Sequence, residues 1–482
     1  MGSSSIDWRR RLAYPVIIGG SIAGLLWTLR LGSHLTAPAP DPSAALLTSA
    51  GAVGVFRLPV FLAQLVAVML VSRGAGRVMR RCGQPQVVGE MLGGLLLGPS
   101  FLGLIAPPAY ALLFPAGSVR FLNAVSQLGV LLFMFLVGLE LDLVLLRGRR
   151  QVVTLTSHAG IALPLWAGAG LALLLYPTLS NQSVPFVAYA LFIGCALSVT
   201  AFPVLARLLA ERGLSKTTFG ALALACAAIA DVTAWCVLAV VLAVAEGRSL
   251  GLQLWMSLLG AGVFVTLMMT VGRRVIGAAL TPRDDGMHLT SDRLAIALMI
   301  ALASAWTTEQ LGIHALLGAF VAGLAMPRAE AFASSVKSRL EELLGVVLLP
   351  LFFAVTGIRM NLAAIEGASM WLLCFVIVLV AIVGKAGGTI LGARVTGLSW
   401  RDSASLGALM NTRGLMELVI LNLGLEIGII SRPLFTMMVI MALVTTALTA
   451  PLLSWLHVES QGPQAASRGH EWPRAGSARR TA

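Results

Sequence analysis

Charge is scarce in this chain. Asp, Glu, Lys and Arg make up only 11% of its 482 residues, against about 25% in a soluble domain. That shortage argues against a water-soluble globule. Cysteine is also rare, with Cys82, Cys195, Cys226, Cys236 and Cys374 widely spaced. Four of the five fall inside apolar runs and none forms a zinc-type pair, so they read as small core residues. Alternation with a strand period over about ten residues is missing, which excludes a membrane barrel. The net charge is +13, but no basic face with interleaved aromatics appears, so nucleic acid is not an expected partner. No catalytic residue, enzymatic activity or cofactor is assigned.

What is abundant is apolar sequence. Hydrophobic residues reach 58%, and long apolar runs recur from Pro15 to Leu456. In hydrocarbon each backbone group needs an internal partner, so such runs are expected to be helices. Fourteen segments can be drawn, at about 12–30, 56–78, 85–105, 121–145, 151–176, 185–209, 216–245, 250–272, 292–311, 313–327, 342–360, 368–392, 402–425 and 432–456. The expected fold is an all-α polytopic membrane protein with about 14 transmembrane helices, thirteen plus an N-terminal anchor.

Loop charge tests that count. Placing Arg9, Arg10 and Arg11 inside and alternating thereafter puts 26 Lys and Arg residues in inside loops and tails. Six fall outside: Arg30, Arg57, Arg120, Arg248, Arg359 and Arg432. This strong positive-inside bias fails beyond the short tenth segment if that segment does not cross. Both termini are therefore expected in the cytoplasm, with the chain in a bacterial inner membrane. The first segment also fits a signal peptide, but the proline-rich stretch from His34 to Pro42 offers no clean cleavage site. An uncleaved anchor is the reading adopted.

Two segments are broken by polar or helix-disrupting residues. The sixth reads ALSVTAFPVLAR over residues 196–207, with Pro203 removing a backbone donor. The thirteenth reads GALMNTRGLMEL over residues 407–418, with Asn411, Thr412, Arg413 and Gly414 at mid-membrane depth. The breaks are seven segments apart, and seven is odd, so the second copy enters from the opposite face. This predicts an inverted six-helix repeat with two crossed discontinuous helices. Its copies lie at about 56–245 and 292–456, joined by a linker helix at 250–272. Around the transporter unit of residues 56–457, residues 1–55 form the anchor and an external loop. Residues 458–482 form a polar tail expected to be disordered, with no appended regulatory domain.

Ionisable groups in hydrocarbon cost at least ~2.5–3.5 kcal/mol each, so the few present are candidates for function. Asp231, deep in the seventh segment in AAIADVTAW (residues 227–235), is the sharpest. A carboxylate there is either protonated or bound to a cation, and one group that takes either supports exchange. Ser198 and Thr200 either restore backbone hydrogen bonds at the first break or face an ion. Lys385 has two readings: a snorkelling side chain, or a counter-charge that holds the empty site together. Arg413 is expected to neutralise acidic groups near the second break, with Glu309 and Glu417 as partners or as supporting carboxylates. Glu90 is left open between structure and function.

The same stretches carry a resemblance. Residues 85–99 (PQVVGEMLGGLLLGP), 135–142 (FLVGLELD), 197–207 (LSVTAFPVLAR), 312–320 (GIHALLGAF), 349–353 (LPLFF) and 411–414 (NTRG) occur in this order. Over roughly residues 56–456 the chain resembles the monovalent cation:proton antiporter superfamily, in particular the branch of plant cation/proton exchangers and bacterial Kef-type proteins, which are sodium/hydrogen exchanger relatives. The resemblance implies crossed broken helices at segments six and thirteen, beside a carboxylate helix at segment seven. It places Asp231 as the ion-binding aspartate for an alkali cation or a proton, Thr200 as the broken-helix threonine and Lys385 as the basic residue opposite. It also implies a core domain moving against a dimerisation domain, usually in a homodimer.

One departure affects stoichiometry. Electrogenic members of the superfamily place a second aspartate before the key aspartate and many electroneutral members place an asparagine there, where this chain has Ala230. The expected activity is exchange of K⁺ or Na⁺ for protons, electroneutral through Asp231, although deprotonation of Lys385 would add a proton. The alternative is a proton- or sodium-coupled carrier of an organic solute, with Arg413 binding a carboxylate. A channel and a non-transporting sensor are weaker fits.

Overall fold

The computed structural model describes residues 4–38, 57–115, 117–140, 150–181, 184–201, 204–205, 208–209, 212, 214, 217–245, 252–280, 290–311, 315–327 and 329–456. Pro203, Asp142, the loop of residues 39–56 and the tail of residues 458–482 lie outside them.

The described residues are helical, with no strand among them. In chain order the helices are α1 (Ser4–Gly32), α2 (Leu58–Arg81), α3 (Gln86–Leu97), the short α4 (Leu102–Ile105) and α5 (Pro107–Leu113), α6 (Val119–Glu140), α7 (Arg150–Leu179) and α8 (Phe186–Ser198). Next come α9 (Thr218–Ala245), α10 (Leu252–Leu267), α11 (Arg273–Leu280), α12 (Ser291–Gln310), α13 (Ala315–Ala325), α14 (Glu330–Leu343) and α15 (Leu349–Arg359). The last are α16 (Gly367–Val395), α17 (Trp400–Met410), α18 (Leu415–Glu426) and α19 (Arg432–Trp455). Among the described residues nine spans are long and apolar enough to cross a membrane, and Phe186–Ser198 and Ala315–Ala325 are shorter apolar helices.

Each apolar segment read from the sequence coincides with one or more of these helices, and the differences have local causes. The third segment is two pieces, because the helix stops at Gly98, which is extended (φ −80°, ψ −179°) immediately before Pro99. The eleventh begins earlier than its apolar run. Helix α14 carries Lys337, Arg339, Glu341 and Glu342 and passes through a π turn, Leu344–Leu348, into α15. A hydropathy window cannot see a polar helix that continues into an apolar one.

Helix pairing repeats with the spacing of the two breaks. α2 packs on α3 as α12 packs on α13, and α3 on α15 as α13 on α6. α7 packs on α8 and α9 as α16 packs on α17 and α19. Helices in a membrane gain little from apolar contact alone and rely on close packing of small residues. Glycine provides this at both matching crossings. A Cβ on Gly94 would lie 2.2 Å from the Ala354 oxygen, and one on Gly357 would lie 2.3 Å from the Met91 oxygen. At the other crossing, Gly138 and Gly323 would meet the Phe320 and Phe135 oxygens at 2.1 Å each.

The packing falls into two groups, α2, α3, α6, α12, α13 and α15 in one and α7, α8, α9, α16, α17, α18 and α19 in the other. Between them Arg359 on α15 donates to Glu426 (2.9 Å) and Asn422 (2.7 Å) on α18, and Asn123 on α6 donates to Glu426 (3.0 Å). Large apolar side chains such as Leu70, Leu104, Trp306, Phe375 and Val383 remain exposed, as a lipid-facing surface requires.

Candidate functional site

Helix α8 ends inside the protein. Its last residue is Ser198, and Val199 turns to extended backbone (φ −71°, ψ 146°). A helix end leaves its final four carbonyls without helical donors, and it carries partial negative charge. Here a side chain serves each of the four. Ser198 Oγ donates to the Cys195 carbonyl at 2.8 Å. Arg413 donates to Ala196 at 3.1 Å and to Leu197 at 2.8 Å through its two terminal nitrogens. Lys385 Nζ donates to the Ser198 carbonyl. Two cationic side chains thus cap the negative end of one half-helix, with charge-assisted hydrogen bonds.

The second break meets the first there. Helix α17 stops at Met410 and α18 starts at Leu415, leaving Asn411, Thr412, Arg413 and Gly414 between the two helices. The Ala201 amide donates to the Thr412 carbonyl at 3.0 Å, and Thr200 Oγ1 donates to the Met410 carbonyl at 3.3 Å. Gly414 allows the approach, since a Cβ on it would lie 2.8 Å from Val204. Crossed broken helices are therefore bonded directly to each other through backbone groups that the breaks release.

Four ionisable side chains converge on this crossing. Arg413 pairs with Glu417 at 3.1 Å, and both side chains are fully buried. Lys385 is also fully buried, on α16 where it packs against α7, α8 and α17. The charges that act on its ammonium are Arg413, Asp231 and Glu417. Asp231 is 5% exposed near the middle of α9. That helix is docked by Ser157, which donates to the Cys226 carbonyl at 3.1 Å, and by Cys195, whose thiol donates to the Ala234 carbonyl at 3.8 Å. Two carboxyl groups and two cationic side chains thus share a buried centre.

The residues singled out from the sequence take these places. Lys385 does not snorkel; it caps the first break. Arg413 takes Glu417 as its partner. Glu309 is elsewhere: it is exposed at the end of α12, and its carboxylate accepts the Ala315 amide at 2.8 Å at the start of α13. The physical reason is local, since a carboxylate at a helix N-terminus satisfies free amides. Glu90 is buried in α3, where it accepts from Gln86 at 2.7 Å, one turn earlier. Ser198 contributes its carbonyl to the site, because its hydroxyl is turned back onto its own helix. Thr233 likewise donates to Ile229 at 2.8 Å within α9. Ala230 is fully buried beside Asp231 and brings no polar atom.

Two features escaped the sequence. The carbonyls of Ala196 and Leu197 carry no side-chain signal. Thr446 on α19 both accepts from the Arg413 amide (3.0 Å) and donates to the Arg413 carbonyl (2.7 Å). Its only trace was a run of threonines, Thr445, Thr446 and Thr449, in an apolar helix. A cavity of about 280 Å³ opens between the two packing groups, lined in part by Asn123, Gln127, Phe352, Val419, Asn422 and Glu426.

Comparison with known proteins places the chain in a family. The chain is 38% identical over 397 residues to the Na⁺/H⁺ antiporter NhaS4 of Synechocystis, covering 82% of this chain and 97% of that protein. It is 36% identical to cation/H⁺ antiporter 19 of Arabidopsis thaliana over 83% of this chain, and 32% identical to K⁺/H⁺ antiporter 1 of Saccharomyces cerevisiae over 84%. It spans about half the length of those two, 50% and 47%. In three dimensions it is similar to the sodium proton antiporter MjNhaP1 of Methanocaldococcus jannaschii, with a TM-score of 0.62 at 15% identity, covering 83% of this chain and 97% of that one. The family profile described as "Sodium/hydrogen exchanger, transmembrane" matches residues 44–458. With that match and the crossed broken helices, the chain belongs to the transmembrane sodium/hydrogen exchanger family.

Proposed function

We propose that this protein is a secondary antiporter that exchanges a monovalent cation, K⁺ or Na⁺, for protons. The observation that carries this reading is the buried Asp231 among the charges that act on Lys385, beside two helix breaks bonded to each other. Burial disfavours a bare carboxylate, so Asp231 holds either a proton or a metal ion. The buried Thr200 hydroxyl oxygen, whose proton is donated to Met410, and the carbonyls of the breaks supply neutral ligands, and Lys385 and Arg413 balance the negative charge when the cation leaves. Arg413 and Glu417 hold the breaks in position, together with Asn411, Thr412 and Gly414. Because one proton is traded for one cation on one carboxylate, exchange is electroneutral. Access alternates as the group of α7–α9 and α16–α19 moves against the other, within a homodimer. The repeat copies are residues 56–245 and 292–456, the linker helix is 250–272, and both termini face the cytoplasm from an inner membrane.

The organic-solute alternative needs an available cationic group. Arg413 is already engaged by two carbonyls and Glu417, which favours the cation reading. The test is purified protein in liposomes with an internal pH dye. Added Na⁺ or K⁺ is expected to drive proton movement in the native protein and none in Asp231→Asn. A normal response from that variant would overturn the assignment.

A further inference from the structure

The second break frees both backbone groups of Arg413. In an unbroken helix its amide would reach the Leu409 carbonyl, but that carbonyl instead accepts the Thr412 amide (3.1 Å) and hydroxyl (2.7 Å). The Arg413 carbonyl is also outside the ladder, since the first bond of α18 runs from the Leu418 amide to Gly414 at 3.0 Å. A buried, unpaired backbone group costs roughly as much as a lost hydrogen bond. Thr446 satisfies both with one hydroxyl. Its neighbours do not reach out: Thr445 and Thr449 donate to Met441 (2.9 Å) and Thr445 (3.1 Å) on their own helix. Thr446 is 2% exposed, so no water can easily take its place.

We infer that Thr446 is a positioning residue for exchange: it fixes the Arg413 backbone to α19 and so sets how the guanidinium caps α8 beside the cation site. The linkage is continuous. Thr446 holds Arg413, the Arg413 side chain holds the carbonyls of Ala196 and Leu197, and the Thr412 carbonyl holds the Ala201 amide. A valine fills the same space and has no hydroxyl, so it frees the break without opening a cavity. The inference rests on the antiport reading of this site.

The test compares native protein, Thr446→Val, Thr446→Ser and Asp231→Asn in liposomes, measuring apparent KM for Na⁺ and K⁺ across pH 6 to 9. Thr446→Val is expected to raise apparent KM about tenfold, the ratio for one to two lost hydrogen bonds, and to displace the pH profile. Thr446→Ser is expected to restore both. An unaltered KM and pH profile in Thr446→Val would overturn the inference, as would equal impairment in Thr446→Ser. Should Thr446→Val not be recovered folded, Thr446→Cys, with its weaker donor, is expected to fall below Thr446→Ser; equality would overturn the inference. Hydrogen exchange in the peptide of residues 411–418 reads the staple without transport. It should accelerate on loss of the hydroxyl, and no change would overturn the staple. If native protein shows no cation-driven proton flux, it is the antiport reading that fails, and hydrogen exchange still judges Thr446.

Discussion

Replacing Arg413 by methionine is the most demanding test of the buried charge cluster. The guanidinium makes an ion pair with Glu417 at 3.1 Å and two hydrogen bonds to the end of α8. Removing one partner of a buried ion pair costs about 3–5 kcal/mol, because the other charge is left uncompensated. The two carbonyls add about 1–3 kcal/mol each if nothing replaces their donor. Such losses rival the total of about 5–15 kcal/mol that holds a typical protein folded. They overlap, so a simple sum overstates the effect.

The double variant Arg413→Met/Glu417→Leu separates the terms, since it keeps the carbonyl loss and removes the stranded carboxylate. It should be more stable than Arg413→Met by about 3–5 kcal/mol, the cost of the stranded charge. The assay is thermal unfolding in detergent, followed by dye labelling of the buried thiols of Cys195, Cys226 and Cys374. Arg413→Lys should fall between native protein and Arg413→Met, because an ammonium cannot reproduce a two-pronged contact. A double variant that unfolds no later than Arg413→Met would refute the argument that Glu417 depends on this pair.

Two further outcomes are expected. Gly94→Ala and Gly138→Ala should each destabilise by about 1–3 kcal/mol in the same thiol assay, since both place a methyl group against a backbone oxygen at 2.2 and 2.1 Å. Native stability in both would contradict the close crossings. Exchange by native protein should also be insensitive to an imposed potential, because a one-for-one swap moves no net charge. A mobile unit charge would feel about 2.3 kcal/mol per 100 mV, so a clear change in rate under 100 mV would exclude electroneutrality.

The helical fold was legible because hydrocarbon leaves the chain little choice: an apolar run must pair its own backbone groups. The breaks were legible for the converse reason, since Asn411, Thr412 and Arg413 are costly at that depth unless used. Asp231 stood out on the same ground, and the structure buries it beside the crossing. Residue type alone did not reveal which partner each charge takes. Lys385 reads equally as a snorkelling or a buried side chain until its helix is packed against α8. Glu309 resembled a buried carboxylate because its position in an apolar run hides that it ends a helix. The backbone carbonyls of α8 and the double bond of Thr446 to Arg413 depend on which chain ends meet, and no local pattern encodes that meeting.

Competition at one carboxylate is the central claim, and the pH dependence of the apparent KM tests it most directly. Protons occupy Asp231 more fully as pH falls, so the cation must displace more of them. Apparent KM for Na⁺ or K⁺ should therefore rise with acidity, approaching about tenfold per pH unit, while the rate at saturating cation stays level. An apparent KM that does not move between pH 9 and pH 6, with the maximal rate falling instead, would mean that proton and cation occupy separate sites.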